Sequence, residues 1–216
     1  MKLYYVVGSP NCRKVHAVVN HMGLDVKFEY LDFFTGEMQG AYRSINPNAM
    51  VPSLVDGALK LWESNAIMQY LADGPGGEPI FPRERQQRAD VVRWLAWELA
   101  HFNKALGILS FETVAKPTFM KQPPNEALVE ISTADLKRFS PVLNAHLDGR
   151  MFVCGQGVTI ADYAVAHLES FKDAVPFDWA PYPHLNAYFE RMRSVEHWAK
   201  TAPPSMEAVG RKPSAR

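Results

Sequence analysis

Hydrophobic and polar positions over the first 73 residues form short strand-like and helix-like stretches. Residues 3–7 are apolar, aromatic and β-branched and are bounded by Gly8-Ser9-Pro10, a pattern typical of a buried strand. Apolar residues between Cys12 and Met22 recur at helical spacing, and Gly23 stands where a left-handed residue commonly ends a helix. The chain is therefore predicted to open with a strand, a loop and a helix.

Three more strands and two more helices are predicted between residues 26 and 73. Apolar positions at 26–30 predict a strand, which a right-handed crossover would place parallel to the first, and residues 37–44 predict a short helix. Strands at 53–55 and 59–62 flank an Asp-Gly pair, which is a common hairpin signal. A helix from Glu63-Ser64 onward completes the order β-α-β-α-β-β-α.

Beyond a segment rich in Gly and Pro at 74–82, the pattern predicts helices only. Apolar residues at helical spacing predict helices over 84–112 and 126–147. Thr159 and Asp162 have the spacing of a capping box at the start of another apolar helix.

These patterns predict two domains joined by a linker. We expect a first domain over residues 1–75, a linker over 76–83 and an all-helical domain over 84–216. Residues 201–216 have little apolar periodicity, which predicts a mobile terminus.

Charge and composition exclude several classes of protein. The 23 basic and 23 acidic residues cancel, so the chain lacks the positive field that holds nucleic acids or anionic membranes. Hydrophobic residues make up 47% of the chain, which is enough for a globular core. Because no apolar stretch approaches the ~18 residues of a membrane span and the first residues lack a signal-peptide core, we expect a cytoplasmic protein.

The first candidate site is the turn that begins at Gly8. Backbone N–H groups at the start of the following helix favour an anion, including a thiolate. The Ser9 hydroxyl can donate a hydrogen bond to a ligand thiolate and lower its pKa, or it can simply cap the helix. The Asn11 amide is a possible second donor, or an ordinary turn residue.

The two cysteines indicate neither a disulfide scaffold nor a metal site. Cys12 and Cys154 are far apart, without a C-x-x-C pair or a His-rich neighbourhood. Cys12 takes the second position of a C-x-x-C pattern whose first position is Ser9, so the attacking thiol of a dithiol redox motif is missing. A buried structural thiol is the favoured interpretation, and no metal is expected.

Two further segments can hold an extended, charged ligand. If the Val51-Pro52 bond is cis, the backbone of Val51 would face outward to pair with a peptide as an added strand. Ser64, at a predicted helix start, can bind a carboxylate through its N–H and hydroxyl, and Glu63 can pair with an ammonium group. Taken alone, an acid-Ser pair before a helix is usually only a cap.

Together these segments resemble the cytosolic glutathione transferase superfamily over essentially the whole chain. The opening YYVVGSPNCRKV is similar to insect delta-type and bacterial nu-type members, whose first turn has a hydroxyl residue, then Pro, then Asn. The resemblance implies a thioredoxin-like α/β domain followed by an all-helical domain, and a homodimer in the cytoplasm. It also implies glutathione as co-substrate and a role in detoxification.

The resemblance implies roles for individual residues. Ser9 would activate the thiol of glutathione, with Asn11 as a second thiol contact. Val51 and Pro52 would pair with the tripeptide backbone. The γ-glutamyl end would be held by Glu63 and Ser64.

The chain departs from the superfamily at the position of the glycyl carboxylate. Ala49 and Met50 stand where a His or Asn and a Lys often bind that carboxylate, and neither side chain can do so. Gln39 or a group from a partner chain would have to replace them.

The main hypothesis is an enzyme that directs the glutathione thiolate onto a hydrophobic electrophile, which the sequence does not identify. The electrophile would lie over Ser9, beside the helix that carries an aromatic series including a histidine, namely Trp94, Trp97, His101 and Phe102. Two alternatives are a glutathione-dependent disulfide or peroxide reductase and a non-catalytic interaction protein of the same fold.

Overall fold

A computed structural model describes residues 1–203, 205 and 207–213. The chain divides into two compact units, one formed by residues 1–81 with the described residues from Ser194 onward, the other by residues 82–193. None of the helices in the described ranges combines the length and apolarity that crossing a bilayer requires.

The first unit is built on a four-stranded mixed sheet. Its strands are β1 (Lys2–Tyr5), β2 (Lys27–Tyr30), β3 (Ser53–Asp56) and β4 (Leu59–Trp62), in the spatial order β2-β1-β3-β4. Strand β1 pairs parallel with β2 and antiparallel with β3, and β4 closes the predicted hairpin. The predicted thioredoxin-like order of elements is confirmed.

Helices α1 (Pro10–Met22) and α2 (Ser64–Ala72) pack against each other beside the sheet. Their apolar residues and those of the central strands are removed from water, including Leu3, Val18, Leu54, Ile67 and Met68. Helix α1 ends as predicted, because Gly23 adopts a left-handed φ of 59° and its N–H bonds to the carbonyl groups of the last turn.

The short helix predicted over 37–44 is instead two 3₁₀ turns, Glu37–Gln39 and Ala41–Ser44. Gly36, with φ of 78°, starts the first turn, and Gly40, which is far from helical geometry, separates the two. On this face of the sheet, Val6, Leu31 and Met38 belong to a second buried apolar cluster.

The second unit contains helices only, as predicted for this half of the chain. They are α3 (Arg85–Trp97), α4 (Asn103–Ser110), α5 (Glu126–His146), α6 (Ile160–Val165) and α7 (Pro183–Ser194), with a 3₁₀ helix at Ala166–Ala174. Every residue of α6 is buried, and the predicted capping box of Thr159 and Asp162 is present at its start.

The helix predicted to end near residue 112 continues further. Stretches of π-helix at Glu98–Phe102 and Phe111–Met120 link α3 and α4 and extend α4 past Pro117. The chain turns only at Lys121, which is left-handed with φ of 55°.

The described residues near the carboxyl end contact the first unit rather than extending free. Helix α8 (Glu196–Ala199) packs on α1. The Gly210 N–H donates to the Val7 carbonyl at 2.8 Å, and the Phe33 N–H donates to the Gly210 carbonyl at 2.7 Å. These contacts argue against a mobile terminus for this part of 201–216; residues 204, 206 and 214–216 lie outside the described residues.

The domain limits drawn from the sequence stay predictions. The grouping of the contacts differs from those limits at the carboxyl end, because residues after Ser194 group with the first unit.

Candidate active site

The turn between β1 and α1 places the Ser9 hydroxyl at the start of a helix. Gly8, with φ of 79°, reverses the chain, and Ser9 is the N-cap of α1. Its hydroxyl accepts from the Cys12 N–H at 3.4 Å, and its carbonyl accepts from the Arg13 N–H at 2.9 Å. A hydroxyl also carries one proton, which the cap does not use and which Ser9 can donate either to the Cys12 side chain or to a ligand.

Cys12 lies behind this turn and is shielded from any ligand. The residue is fully buried, and its Sγ accepts a hydrogen bond from the Val6 N–H at 3.5 Å. Burial raises the pKa of the Cys12 thiol to about 12, so it stays neutral near pH 7. Cys154 is also buried and free, and burial raises the pKa of its thiol as well.

A hydrogen bond joins the Ser9 turn to the start of α2. The Ser64 hydroxyl donates to Asn11 Oδ1 at 3.1 Å, across 53 residues of sequence. This bond orients the side-chain oxygen of Asn11 towards Ser64. The Asn11 NH2 group, which has no partner among the described residues, is left free to donate to a ligand.

Glu63 is held in an unusual backbone conformation directly before α2. Its φ of 70° and ψ of 109° are rare for a residue with a side chain. Such a conformation costs about 1–3 kcal/mol and is concentrated at functional sites. The exposed Glu63 side chain does not cap the helix, so its carboxylate remains available.

The Val51-Pro52 bond is cis, and the segment before it is held by hydrogen bonds. The Met50 carbonyl accepts from the Tyr42 hydroxyl at 2.7 Å and from Asn46 Nδ2 at 2.8 Å. Within the described residues, the Val51 N–H and carbonyl have no hydrogen-bond partner. They can therefore pair with an extended ligand in the manner of a sheet edge.

The strand register brings the three segments to one edge of the sheet. Tyr4 of β1 lies opposite Ser53 of β3, which lies opposite Trp62 of β4. The residues that follow β1, precede β3 and follow β4 therefore meet at the same edge. Ser9 and Asn11, Val51 and Pro52, and Glu63 and Ser64 come from these three positions.

Comparison with known proteins identifies the family of the chain. Residues 3–79 match the family described as "Glutathione S-transferase, N-terminal domain", and residues 110–196 match "Glutathione S-transferase, C-terminal domain". The chain is 31% identical to glutathione S-transferase 3 of Zea mays over 96% of this chain and 99% of that protein. The chain belongs to the glutathione S-transferase family.

Two solved structures show how far the likeness of this transferase extends. The apo form of glutathione S-transferase III is 30% identical, with a TM-score of 0.82 over 94% of this chain and 97% of that one. A theta-class transferase of Xanthomonas axonopodis pv. citri, solved with glutathione bound, is 26% identical, with a TM-score of 0.81 over 95% and 98%. These likenesses do not single out the delta-like or nu-like subtype, which stays a prediction.

Neither Ala49 nor Met50 has a side chain that could bind the glycyl carboxylate of glutathione. Ala49 is buried with φ of 55°, and the Met50 side chain is 67% exposed without any charged or polar group. Gln39, named as a possible replacement, is exposed, and its Oε1 accepts from Arg43 at 2.6 Å. The amide NH2 of Gln39 is thus oriented away from Arg43.

The aromatic series predicted to wall the electrophile divides into core and half-buried residues. Trp94 and Phe102 are at most 5% exposed and belong to the helical core. Trp97 and His101 are half-buried, and the His101 ring stacks on Phe139 at 4.6 Å.

Sequence patterns missed Tyr42 and Asn46, whose contacts with Met50 position the cis-proline segment. The signal for Asn46 was its place in Asn-Pro-Asn, a sequence in which side chains bond the nearby backbone. Tyr42 gave no signal beyond its apolar spacing. Among the described residues, no cluster of His, Cys, Asp or Glu has the composition of a metal site.

Proposed function

We propose that this transferase binds reduced glutathione at the sheet edge of the first unit and activates its thiol with Ser9. The supporting observation is the Ser64–Asn11 hydrogen bond, because it engages the Asn11 side-chain oxygen and leaves the NH2 group, two residues after Ser9, to donate to a ligand. Two donors and the positive end of α1 would stabilise a thiolate relative to a thiol.

The remaining residues would hold the tripeptide. Its backbone would pair with Val51 beside cis-Pro52, its α-carboxylate would accept from the Ser64 N–H at the start of α2, and its ammonium group would pair with Glu63. The Ser64 hydroxyl proton stays with Asn11. The bound thiolate would then attack a hydrophobic electrophile, with catalysis by proximity and by thiol ionisation. The buried, neutral Cys12 takes no part, so no observation favours a redox role for the protein thiols.

The test is the pH-dependent ultraviolet absorbance of the thiolate of glutathione bound to the purified protein. A hydrogen bond to a charged group contributes about 1.5–3 kcal/mol, which corresponds to about 1–2 pKa units. We expect the bound thiol to ionise below the pKa of free glutathione and Ser9→Ala to raise that pKa by about 1–2 units. An unchanged pKa in Ser9→Ala would exclude the role of the hydroxyl, and Asn11→Ala would then be measured.

Two further variants separate activation from helix capping. Ser9→Thr keeps a hydroxyl that can both cap and donate, so thiol ionisation should be retained. Ser9→Asp keeps a capping oxygen but has no proton to donate and adds a negative charge. It should leave the thermal midpoint close to that of the wild type while raising the pKa of the bound thiol further than Ser9→Ala does.

We also propose a homodimer in the cytoplasm. The edge strand β4 and helix α2 carry exposed large apolar side chains, including Leu59 at 40%, Trp62 at 39% and Tyr70 at 41%. Such side chains on one edge suit an interface. Light scattering should give twice the chain mass of 24.3 kDa; a mass of one chain would refute the dimer.

A further inference from the structure

A cavity of about 230 Å³ lies at the β2 side of the first unit, and its lining reaches Val7 and Gly8, which directly precede Ser9. One wall is aromatic and comprises Tyr5 of β1, His16 of α1 and Tyr30 of β2. The other wall comes from the carboxyl-terminal residues and carries Lys200, Arg211 and Lys212. None of the six residues proposed to contact glutathione lines this cavity.

The Tyr5 hydroxyl donates to no protein group among the described residues. Tyr5 is only 5% exposed, and no hydrogen bond to its hydroxyl occurs among the described residues. The hydroxyl is not among the buried polar atoms that are closed off from solvent, and Tyr5 lines the cavity, so the hydroxyl can donate to a molecule bound there. Burial raises the pKa of Tyr5 well above its ordinary value, so the hydroxyl keeps its proton.

Part of the positive charge on the carboxyl-terminal wall of the cavity is not paired with a carboxylate of the described residues. Lys200 pairs with Glu196, and Lys212 pairs with Glu37, each at 2.6 Å. Arg211 instead lies over the Phe34 ring, 5.3 Å from its centroid, and no carboxylate among the described residues pairs with it. No Asp or Glu among the described residues lines the cavity.

We propose that this cavity binds a small aromatic carboxylate. The carboxylate accepts from the Tyr5 hydroxyl and pairs with Arg211, and the ring lies against Tyr30 and His16. An apolar cavity of about 150 Å³ in another protein binds benzene. A cavity of about 230 Å³ therefore has room for one aromatic ring with a short acidic side chain.

The experiment is titration calorimetry of the full chain with phenylacetate as probe and phenylacetamide as its uncharged analogue. Phenylacetate should bind, and phenylacetamide should bind at least ~10-fold more weakly because it lacks the charge. Tyr5→Phe keeps the ring and removes only a hydroxyl that bonds to none of the described residues, so the fold should tolerate it. It should weaken phenylacetate binding by about 10-fold or more, and Arg211→Gln should weaken it by about 3-fold or more.

Two controls make the result specific to this cavity. Arg150→Gln removes an exposed arginine of the second unit and should leave the dissociation constant unchanged. Saturation with S-methylglutathione, which occupies the proposed glutathione site, should change that constant by less than ~2-fold. A failure of the proposed glutathione site would leave the phenylacetate result intact.

Three outcomes would overturn the proposal. The first is the absence of binding heat with phenylacetate at about 10 mM. The second is loss of phenylacetate binding on addition of S-methylglutathione. The third is equal affinity for phenylacetate in the wild type, Tyr5→Phe and Arg211→Gln. If Tyr5→Phe does not fold, the affinity of Arg211→Gln for phenylacetate alone tests the proposal. Arg211 is exposed, so its replacement should not affect folding.

Discussion

Asp162→Asn replaces one oxygen of a fully buried carboxylate by an NH2 group without changing the shape of the side chain. Asp162 Oδ1 accepts from the Val153 N–H at 2.7 Å and lies 3.3 Å from the Tyr188 hydroxyl, which can also donate to the Asp162 backbone carbonyl at 3.2 Å. Oδ2 accepts from the Thr159 N–H at 2.8 Å and the Thr159 hydroxyl at 3.0 Å. An amide has one acceptor oxygen, so it can serve only one of these two pairs of donors.

The cost follows from the donor that loses its acceptor. Whichever way the amide of Asn turns, the N–H of Val153 or of Thr159 faces an NH2 group inside the protein. An unsatisfied buried donor costs about 1–3 kcal/mol, and the loss of the second bond adds at most about 1 kcal/mol, because Tyr188 keeps the Asp162 carbonyl as an acceptor. We expect the free energy of unfolding to fall by about 1–4 kcal/mol, which lowers the thermal midpoint by about 3–15 °C.

The assay is thermal and urea unfolding followed by circular dichroism at pH 8. Burial raises the pKa of Asp162 to about 6, so the carboxylate is ionised at that pH. The control is Asp178→Asn, since exposed Asp178 accepts, among the described residues, from the Ala180 N–H at 3.0 Å, which an amide oxygen can also do. It should stay within about 0.5 kcal/mol of the wild type. A similarly small change in the free energy of unfolding for Asp162→Asn would refute the argument that the amide leaves a buried N–H without an acceptor.

Other substitutions test the left-handed turn at Gly8 and the proposed contact of Glu63 with the ammonium group of glutathione. Glu63→Gln removes the negative charge, so the KM for glutathione should rise by about 2–5-fold, as for an exposed ion pair, while the pKa of the bound thiol stays constant. Equal KM values would exclude the ammonium contact. Gly8→Ala should lower the free energy of unfolding by about 1–3 kcal/mol, because φ is 79° and the new Cβ would lie 2.8 Å from Val209 Cγ2. Gly23→Ala is the control in urea unfolding, since φ is 59° but nothing lies within 4 Å of its Cβ; equal losses would mean that the Val209 contact contributes nothing.

The strands and most helices could be predicted because their signals are local. Gly23 ends α1 through its own backbone freedom, and the Asp-Gly pair makes the β3–β4 hairpin. The long helix past residue 112 could not be followed, because Phe111–Met120 is π-helical. Hydrogen bonds from i to i+5 no longer place apolar residues at a 3.6-residue period.

The candidate site was predicted in part, since residue types could be recognised but their contacts could not. The Ser64–Asn11 bond spans 53 residues, and no local pattern records it. The backbone conformation of Glu63 is likewise imposed by the packing around it, because isolated glutamate avoids a φ of 70°. The hydrogen bond from the Tyr42 hydroxyl to the Met50 carbonyl depends on the fold in the same way.

The two interpretations of Ser9, helix cap and thiol activator, are compatible in this geometry. Capping uses a lone pair of the hydroxyl, which accepts from the Cys12 N–H. Activation would use the hydroxyl proton, which the cap leaves free. Because the cap restrains the oxygen at the positive end of α1, the same hydrogen bond that stabilises the helix would also orient the proton for a thiolate. Loss of the cap should therefore impair thiol ionisation even in a variant that still carries a donor at this position.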